Sequence, residues 1–298
     1  MKSSNLYRKL FLSQYFFTIA LCKKEKDNIV NRKKFKAEYI VPANRYDWPA
    51  DPMLVDYKGK TYLFYEAVIH DKGHIEVAEV KEDCSLGKAK IILKDEGHYS
   101  YPFVFRYQDE WYMIPESSSA KEVRLYRSLK FPEKWELKHI LLKERAVDTT
   151  VFEKNGEIYL HTFVTDGTSE RVTPKAYRIE GLPTNPELLE IEWKEYDNLQ
   201  VRGAGAVIQI EDKYYRPAQI SQEQRYGDGL AFYEIESISP YIEKKKIEIM
   251  DKDLKTSGYN VDGLHTYCAS EKYEAIDIRC REFDLFKVPK ILLNRLMK

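Results

Sequence analysis

The sequence predicts an all-β fold, a five-bladed β-propeller whose last blade is closed by N-terminal strands. The chain has 23 Tyr, 13 Phe and 4 Trp in 298 residues, and aromatic residues suit the half-buried surfaces of sheets. Five segments repeat a turn followed by an aromatic-rich strand, with anchor tyrosines spaced 50, 47, 56 and 58 residues apart. A period of about fifty residues with strands is typical of propeller blades. The anchors are Tyr62, Tyr112, Tyr159, Tyr215 and Tyr273.

Each of the first four repeats also contains a short apolar strand that begins eleven residues before its anchor. A tight turn with Gly or Asp joins the two strands, as in a β-hairpin. Third and fourth strands follow, such as HIEVAEV (74–80) and KAKIILK (88–94) in the first repeat. We therefore expect one domain over residues 1–298, with blades at roughly 50–95, 97–144, 145–195, 200–250 and 260–283.

The fifth repeat supplies only two strands, while the N-terminus has two strand-like runs, QYFFTIALC (14–22) and FKAEYIV (35–41). Closure by the opposite terminus removes a free sheet edge, so residues 14–41 are expected to complete the fifth blade. This pairing also explains the uncharged run at 10–22, for which a secretory signal is the weaker interpretation. The tail from Asp284 predicts a short helix after Pro289, and its Lys and Arg residues allow either packing on the propeller or peripheral membrane contact.

The charge balance argues against a nucleic-acid partner. Lys and Arg number 48 and Asp and Glu number 48, whereas phosphate backbones are bound through a basic excess. The four cysteines form no CxxC pair, which favours thiols in a reducing compartment and a cytoplasmic location. Neither histidine nor glycine spacing indicates a metal site or a cofactor.

Residues that begin the first strand and end the second strand of a blade lie at the same rim of the central channel. The side chains expected at this rim include carboxylates, Arg, His, Gln and Tyr, a set that suits sugar hydroxyls and acid–base chemistry. Mutual pairing of these groups around a wet channel is the alternative. The expected rim residues are Asp51, Glu66, Tyr101, Glu116, Asp148, Phe163, Arg202, Ala204, Gln219, His265 and Asp277, with Arg216 close by.

Two of these residues stand out because they occupy equivalent places two blades apart. Asp51 and Asp148 each begin the first strand of a blade, and paired carboxylates are a recurrent catalytic arrangement. We therefore expect Asp51, Asp148 and Glu116 to be catalytic. Tyr101, Arg202, Arg216, Gln219, His265 and Glu66 are expected to bind substrate.

Several strings, in order along the chain, resemble the N-terminal domain of plant glucosamine inositolphosphorylceramide transferase and its bacterial relatives in glycan-assembly operons. The resemblance covers residues 15–282 and implies a fold similar to five-bladed arabinanases, β-xylosidases and invertase-type glycoside hydrolases. The strings are WPADP (48–52), SYPFVF (100–105), YMIPES (112–117), EVRLYRS (122–128), FPEKWEL (131–137), VDTT (147–150), YRPAQ (215–219) and RYGDG (225–229).

The resemblance implies that Asp51 matches the blade-one base or nucleophile of those hydrolases and Asp148 the blade-three residue that orients the site. Their blade-four acid is missing, because the corresponding stretch reads QVRGAGAV (200–207). A sugar alkoxide leaves poorly without a proton, so a glycosyltransferase with a nucleotide- or phosphate-activated donor is favoured.

The expected partners are that sugar donor and a glycan or glycolipid acceptor, in the assembly of a surface polysaccharide such as a capsule or of a glycolipid. The donor phosphate is expected near Arg202 and Arg216, with structural ion pairs to Asp148 or Glu116 as the alternative for both arginines. Two other functions remain open: a glycoside hydrolase or transglycosidase that uses Asp51 and Glu116, and a non-catalytic carbohydrate-binding propeller.

Overall fold

The structure is a computed structural model, and it describes residues 15–70, 72–223 and 225–283. Its N-terminal part contributes strand β1 (Phe16–Lys23), the short helix α1 (Ile29–Arg32) and the two-residue strands β2 (Phe35–Lys36) and β3 (Tyr39–Ile40). Asn28 begins the helix because its side chain accepts a hydrogen bond from the amide of Asn31. The predicted C-terminal helix from Asp284 lies outside the described residues.

Five four-stranded sheets make up the described chain, which confirms the predicted five-bladed propeller. The first holds β4 (Asp47–Tyr57), β5 (Lys60–Ile69), β6 (Lys72–Val80) and β7 (Lys90–Leu93). The second holds β8 (Ser100–Tyr107), β9 (Glu110–Glu116), β10 (Val123–Lys130) and β11 (Lys134–Leu142). The third holds β12 (Ala146–Lys154), β13 (Glu157–Val164), β14 (Thr173–Glu180) and β15 (Glu187–Ile191).

The fourth sheet holds β16 (Ile208–Ile210), β17 (Lys213–Gln222), β18 (Arg225–Ser237) and β19 (Ile242–Met250). After the short strand β20 (Leu254–Lys255), the last sheet is built from β21 (Asn260–Ala269) and β22 (Tyr273–Arg281) together with β1 and β3. Single 3-10 turns occur at Ser118–Ala120 and Asp251–Asp253. No helix among the described residues is long and apolar enough to cross a membrane.

The fifth blade closes as the sequence predicts. Strand β1 pairs antiparallel with β22, from Phe16 opposite Cys280 to Lys23 opposite Tyr273. Seven of the eight β1 residues are buried, so closure also buries an apolar strand that would otherwise be exposed. The second predicted run divides: β3 joins the blade beside β1, whereas β2 pairs in parallel with β20.

Aromatic side chains fill the spaces between neighbouring blades, which accounts for the high Tyr and Phe content. Between blades one and two, the ring of Phe131 stacks on Trp111 with centroids 4.3 Å apart and contacts Tyr57 at 4.8 Å. Phe64 and Trp135 complete this cluster at 5.7 and 6.0 Å from the same ring. Such packing fixes the blades relative to one another and so holds the residues at the axis in place.

Candidate functional site

A cleft of about 410 Å3 lies where the five blades meet. Every blade contributes to its lining, so the cleft is the mouth of the central channel. Blade one provides Trp48, Asp51 and Glu66, and the other blades provide residues that include Glu116, Arg202, Tyr226, His265 and, from the N-terminal strand, Phe17. A concave site with several convergent polar groups and aromatic walls suits a small polar ligand such as a sugar.

β-Bulges at equivalent places in three blades aim side chains towards the axis. The pairing register shifts between Ala50 and Met53, between Ser100 and Phe103, and between Val147 and Thr150. At these bulges Asp51, Tyr101 and Asp148 have φ of 50°, 43° and 51°, values that L side chains rarely adopt. Strain of this kind persists only where the surrounding structure fixes it, and it concentrates at functional sites.

Asp51 lies in a buried chain of acidic and basic groups. Its Oδ1 is 3.2 Å from His265 Nε2 and accepts a hydrogen bond from Thr266 at 3.0 Å, while Oδ2 accepts from the amide of Tyr101 at 3.1 Å. On the far side, His265 Nδ1 is 2.6 Å from Asp277. Burial raises the pKa of Asp51 to about 6, although the positive charge of His265 opposes this rise. Burial alone would lower the pKa of His265, but Asp277 and Asp51 outweigh it and raise the pKa to about 9.

Asp148 is held by the guanidinium of Arg202. Arg202 Nε donates to Asp148 Oδ2, and Arg202 Nη2 lies 3.3 Å from Oδ1 and 3.6 Å from Glu116. Gln219 Nε2 lies 3.3 Å from Asp148 Oδ2. Burial raises the pKa of Asp148 to about 6, although Arg202 opposes that rise. Arg202 is thus an ionic bridge between two carboxylates of the cleft, which is the alternative that the sequence left open for it.

A third pair joins Glu66 to His98, a residue of the loop between β7 and β8. His98 Nε2 lies 2.9 Å from Glu66 Oε1, and its Nδ1 accepts a hydrogen bond from the amide of Gly73 at 3.0 Å. The neutral ring therefore carries its proton on Nε2, facing Glu66. Gly73 is required here, because an added Cβ would collide with Glu66 and would lie 2.6 Å from the carbonyl oxygen of Tyr99.

One wall of the cleft is aromatic. The ring of Phe17 lies 5.6 Å from Trp48, 5.9 Å from Tyr226 and 4.6 Å from the imidazole of His265. The guanidinium of Arg202 lies 5.5 Å from the centre of the Tyr226 ring. Aromatic faces together with carboxylates offer both apolar contact and hydrogen-bond acceptors, which a sugar ring with its hydroxyls can use together.

Five of the nine predicted site residues line the cleft: Asp51, Glu66, Glu116, Arg202 and His265. Asp148 does not line it but is bonded to Arg202, which does. The other three lie beneath it. Tyr101 is buried, and its hydroxyl contacts Thr150 and accepts from the amide of Gly205 at 2.7 Å, so a direct substrate contact does not fit its position. Gln219 is also buried and positions Asp148.

Arg216 is the clearest departure from the expected site. Its side chain is buried, its Nε and Nη2 donate to Glu243 at 2.8 and 2.5 Å, and its Nη1 donates to the carbonyl of Val201 at 2.7 Å. The guanidinium also lies 5.1 Å from the ring centre of Trp193. Arg216 is therefore a structural ion pair inside blade four, and it cannot hold a ligand in the cleft without breaking that pair.

Among the cleft-lining residues that sequence reasoning did not select are Trp48, His98, Arg145 and Tyr226. Trp48 and Tyr226 lie in the quoted strings WPADP and RYGDG, so a signal for them existed. His98 and Arg145 lie in loops between strands, where strand parity says nothing about direction.

One group of described residues has the chemistry and spacing of a metal site. Ligand atoms of Asp51, His265 and Asp277 lie within 4.8 Å of one another. Both nitrogens of His265, however, already face carboxylates at ion-pairing distance. The histidine would have to give up one of these contacts to coordinate a metal, because a ligating nitrogen must be unprotonated.

Two solved structures with this fold belong to enzymes whose names refer to sugars. The β-1,2-mannobiose phosphorylase of Listeria innocua superposes with a TM-score of 0.59 at 12% identity, over 91% of this chain and 98% of that one. The α-L-arabinanase of Cellvibrio cellulosa gives a TM-score of 0.55 at 12% identity, over 79% and 90% of the two chains. At such low identity the likeness shows the fold alone.

Relatives found by sequence share a higher identity with this chain than those two structures do. Glucosamine inositolphosphorylceramide transferase 1 of Oryza sativa subsp. indica is 32% identical over 205 residues, which is 64% of this chain and 26% of the rice protein. The Arabidopsis thaliana protein of the same name is 36% identical over 114 residues, 37% of this chain and 15% of its own length. The chain thus spans about a quarter of the rice relative it matches. Residues 37–261 match the family described as glucosamine inositolphosphorylceramide transferase 1, N-terminal, and the chain belongs to that family.

Proposed function

We propose that this chain is a sugar-transfer domain in which Asp51 is the general base for an acceptor hydroxyl bound in the axial cleft. The observation that carries the proposal is the state of Asp51: its carboxylate is buried at the cleft, and burial raises its pKa to about 6. A general base works best when its pKa lies near the working pH, because it is then both ionised and basic.

In the proposed step, Asp51 accepts the proton of the acceptor hydroxyl as that oxygen forms a bond to the anomeric carbon of the donor sugar. The bond between the anomeric carbon and the donor's leaving group breaks, and the leaving group takes the electron pair. A phosphate leaving group needs no proton, which fits the lack of a carboxylate in the 200–207 stretch. His265 and Thr266 hold the Asp51 carboxylate in place for this transfer.

The names of the relatives support transfer of glucosamine to an inositolphosphorylceramide as the reaction class. For this chain we propose a nucleotide- or phosphate-activated sugar donor and a glycan or glycolipid acceptor, in capsule-like polysaccharide or glycolipid assembly. A cytoplasmic location with peripheral membrane contact through the basic tail after residue 283 belongs to the same proposal. Arg216 has no part in donor binding, since Glu243 holds it inside blade four.

The hydrolase alternative keeps one specific observation in its favour. Glu116 lines the same cleft as Asp51, so two carboxyl groups are available to a sugar bound there. Glycoside hydrolases act through such a pair, one group as acid and the other as base or nucleophile. Glu116, however, faces Arg202 at 3.6 Å and accepts a hydrogen bond from Ser118 at 2.9 Å.

The test compares Asp51→Asn with Asp212→Asn, which removes an exposed carboxylate from the turn between β16 and β17. Uridine-diphosphate sugars, including glucosamine derivatives, are offered with myo-inositol 1-phosphate as acceptor, and product and released nucleotide are measured. Asp51→Asn should lower turnover by about 10²–10⁴-fold, because a general base contributes that much. Asp212→Asn should leave it unchanged.

Wild-type turnover in Asp51→Asn would exclude Asp51 as the base. Hydrolysis of a neutral oligosaccharide that is lost in Glu116→Gln would favour the hydrolase. Sugar binding without turnover would favour a binding module.

A further inference from the structure

The cations that line the cleft differ in whether a carboxylate already balances their charge. His265 lies between Asp51 and Asp277, and Arg202 lies between Asp148 and Glu116. His98 faces Glu66. Each of these side chains therefore offers little net positive charge to an anionic ligand.

Arg145 is the exception. It lines the cleft from the segment between β11 and β12, and no carboxylate of the described chain lies within 4.0 Å of its guanidinium. The neighbouring Glu144 is engaged elsewhere, because it accepts from Lys175 at 3.0 Å. Glu170 also lines the cleft, from the loop after β13, but among the described residues it forms no ion pair with Arg145. A guanidinium that is not paired with a carboxylate marks the place in the cleft where a phosphoryl group would be attracted.

The loop after β13 positions Arg145. Gly167, with φ of 78°, lies so close to Arg145 that a Cβ added to the glycine would collide with the guanidinium. That Cβ would lie 3.2 Å from the Cζ atom of Arg145. The amide of Thr165 donates to the carbonyl of Arg145 at 3.1 Å, which ties the loop to the arginine's own backbone. Thr165 and Ser169 line the cleft beside it and add hydroxyl groups that can donate to phosphate oxygens.

Hydrogen bonds hold this loop in shape. The amide of Gly167 donates to Thr165 Oγ1 at 3.0 Å, and the amide of Thr168 donates to Asp166 at 2.7 Å. At the far end, Arg171 Nη1 donates to Asn198 at 2.8 Å and the amide of Val172 donates to the carbonyl of Asn198 at 3.1 Å. A loop anchored at both ends presents its groups to a ligand without a large ordering cost.

We propose that Arg145, with the hydroxyl groups of Thr165 and Ser169, forms a subsite for a phosphoryl group of the substrate. This inference rests on the proposed function and replaces the role that the sequence suggested for Arg202 and Arg216. The phosphoryl group belongs either to an activated sugar donor or to the headgroup of a phosphorylated acceptor, and both offer the same oxygens to the guanidinium.

Binding measurements by titration calorimetry separate these sources and do not depend on turnover. The probes are uridine diphosphate for the donor, myo-inositol 1-phosphate for the acceptor, and neutral myo-inositol as the control ligand. Arg145→Met should weaken one or both phosphorylated probes about tenfold or more, because a charge-assisted contact is lost. Its matched control is Arg178→Met, which removes a partly exposed arginine paired with Glu157 and Glu180 on β14, the third strand of its blade.

A second variant displaces the guanidinium without removing it. Gly167→Ala should weaken the same probe, whereas Gly156→Ala should not, because Gly156 has the same φ of 78° but open space around the added Cβ. Binding of myo-inositol should be unchanged in all four variants. If the wild-type protein binds neither phosphorylated probe, or if Arg145→Met and Gly167→Ala bind both as the wild type does, the subsite is wrong.

Asp51→Asn tells the failure of this proposal from that of the proposed function. If Asp51 is the base and Arg145 the phosphoryl contact, this variant loses turnover but binds the phosphorylated probe. Normal turnover in Asp51→Asn together with weak probe binding in Arg145→Met would overturn the base and leave the subsite standing. Lost turnover in Asp51→Asn with unchanged probe binding in Arg145→Met would do the reverse.

Discussion

Asp148→Asn tests whether the buried carboxylate of Asp148 lowers the stability of the fold when it is ionised. Burial raises the pKa of Asp148 to about 6 even though Arg202 pairs with it. In the unfolded chain the pKa of an Asp is about 3.9. The folded protein therefore binds the proton more tightly than the unfolded chain, and ionisation of Asp148 favours unfolding.

The expected magnitude follows from the difference of about two pKa units at about 1.4 kcal/mol each, or about 3 kcal/mol. Because the folded pKa is the higher one, wild-type stability falls as pH rises from about 4 to about 6. Asn resembles the neutral acid and has no such loss. The free energy of unfolding of Asp148→Asn should therefore gain on the wild type by about 3 kcal/mol between pH 4 and pH 8.

Urea unfolding of the wild type, Asp148→Asn and the exposed control Asp212→Asn at several pH values measures this difference. Glu116, Arg202 and His265, whose charges act on Asp148, are present in all three proteins. Asp212→Asn should follow the wild type at every pH. The reasoning is refuted if Asp148→Asn loses stability relative to the wild type as pH rises, because the ionised pair with Arg202 would then be a net stabiliser.

Two further substitutions test how the site and the closure are held. Gly73→Ala should destabilise the fold by about 1–3 kcal/mol through overpacking, whereas Gly87→Ala, whose added Cβ would meet its nearest atom at 3.4 Å, should change it little; equal urea midpoints would contradict this. Glu274→Gln removes the carboxylate buried against Arg32 at 2.5 Å and should cost about 3–5 kcal/mol. Glu25→Gln, on the exposed side of the same arginine, should cost under about 1 kcal/mol. Similar losses of stability from both substitutions would contradict a stabilising role for the buried pair between Arg32 and Glu274.

The architecture could be predicted because it depends on a repeated pattern. A turn followed by an aromatic strand recurs five times, and the deficit in the last repeat matches the unclaimed strands of the N-terminus. Which residues of FKAEYIV stay in the blade could not be predicted, since β2 leaves it to pair with β20, which is distant in sequence. Such pairing depends on tertiary context, and local propensity does not record it.

The site was predictable where strand ends meet the axis and unpredictable where bulges and loops decide direction. Asp51 and Asp148 occupy equivalent bulges, so their convergence followed from the repeat. Tyr101 occupies the equivalent bulge of blade two, but its side chain is long. Its hydroxyl reaches Gly205 in blade four and not the cleft. Arg145 could not be predicted from the sequence, because its position depends on the close approach of Gly167 in the loop after β13.

The most direct test of the central claim is a crystal structure of the protein with an acceptor sugar bound at saturating concentration. If Asp51 is the base, one hydroxyl of the sugar lies within about 3.2 Å of its carboxylate, the reach that proton transfer requires. The ring should lie in the cleft against Trp48 or Tyr226, which line it. A sugar bound outside this cleft, or bound in it with every hydroxyl beyond reach of Asp51, would contradict the account.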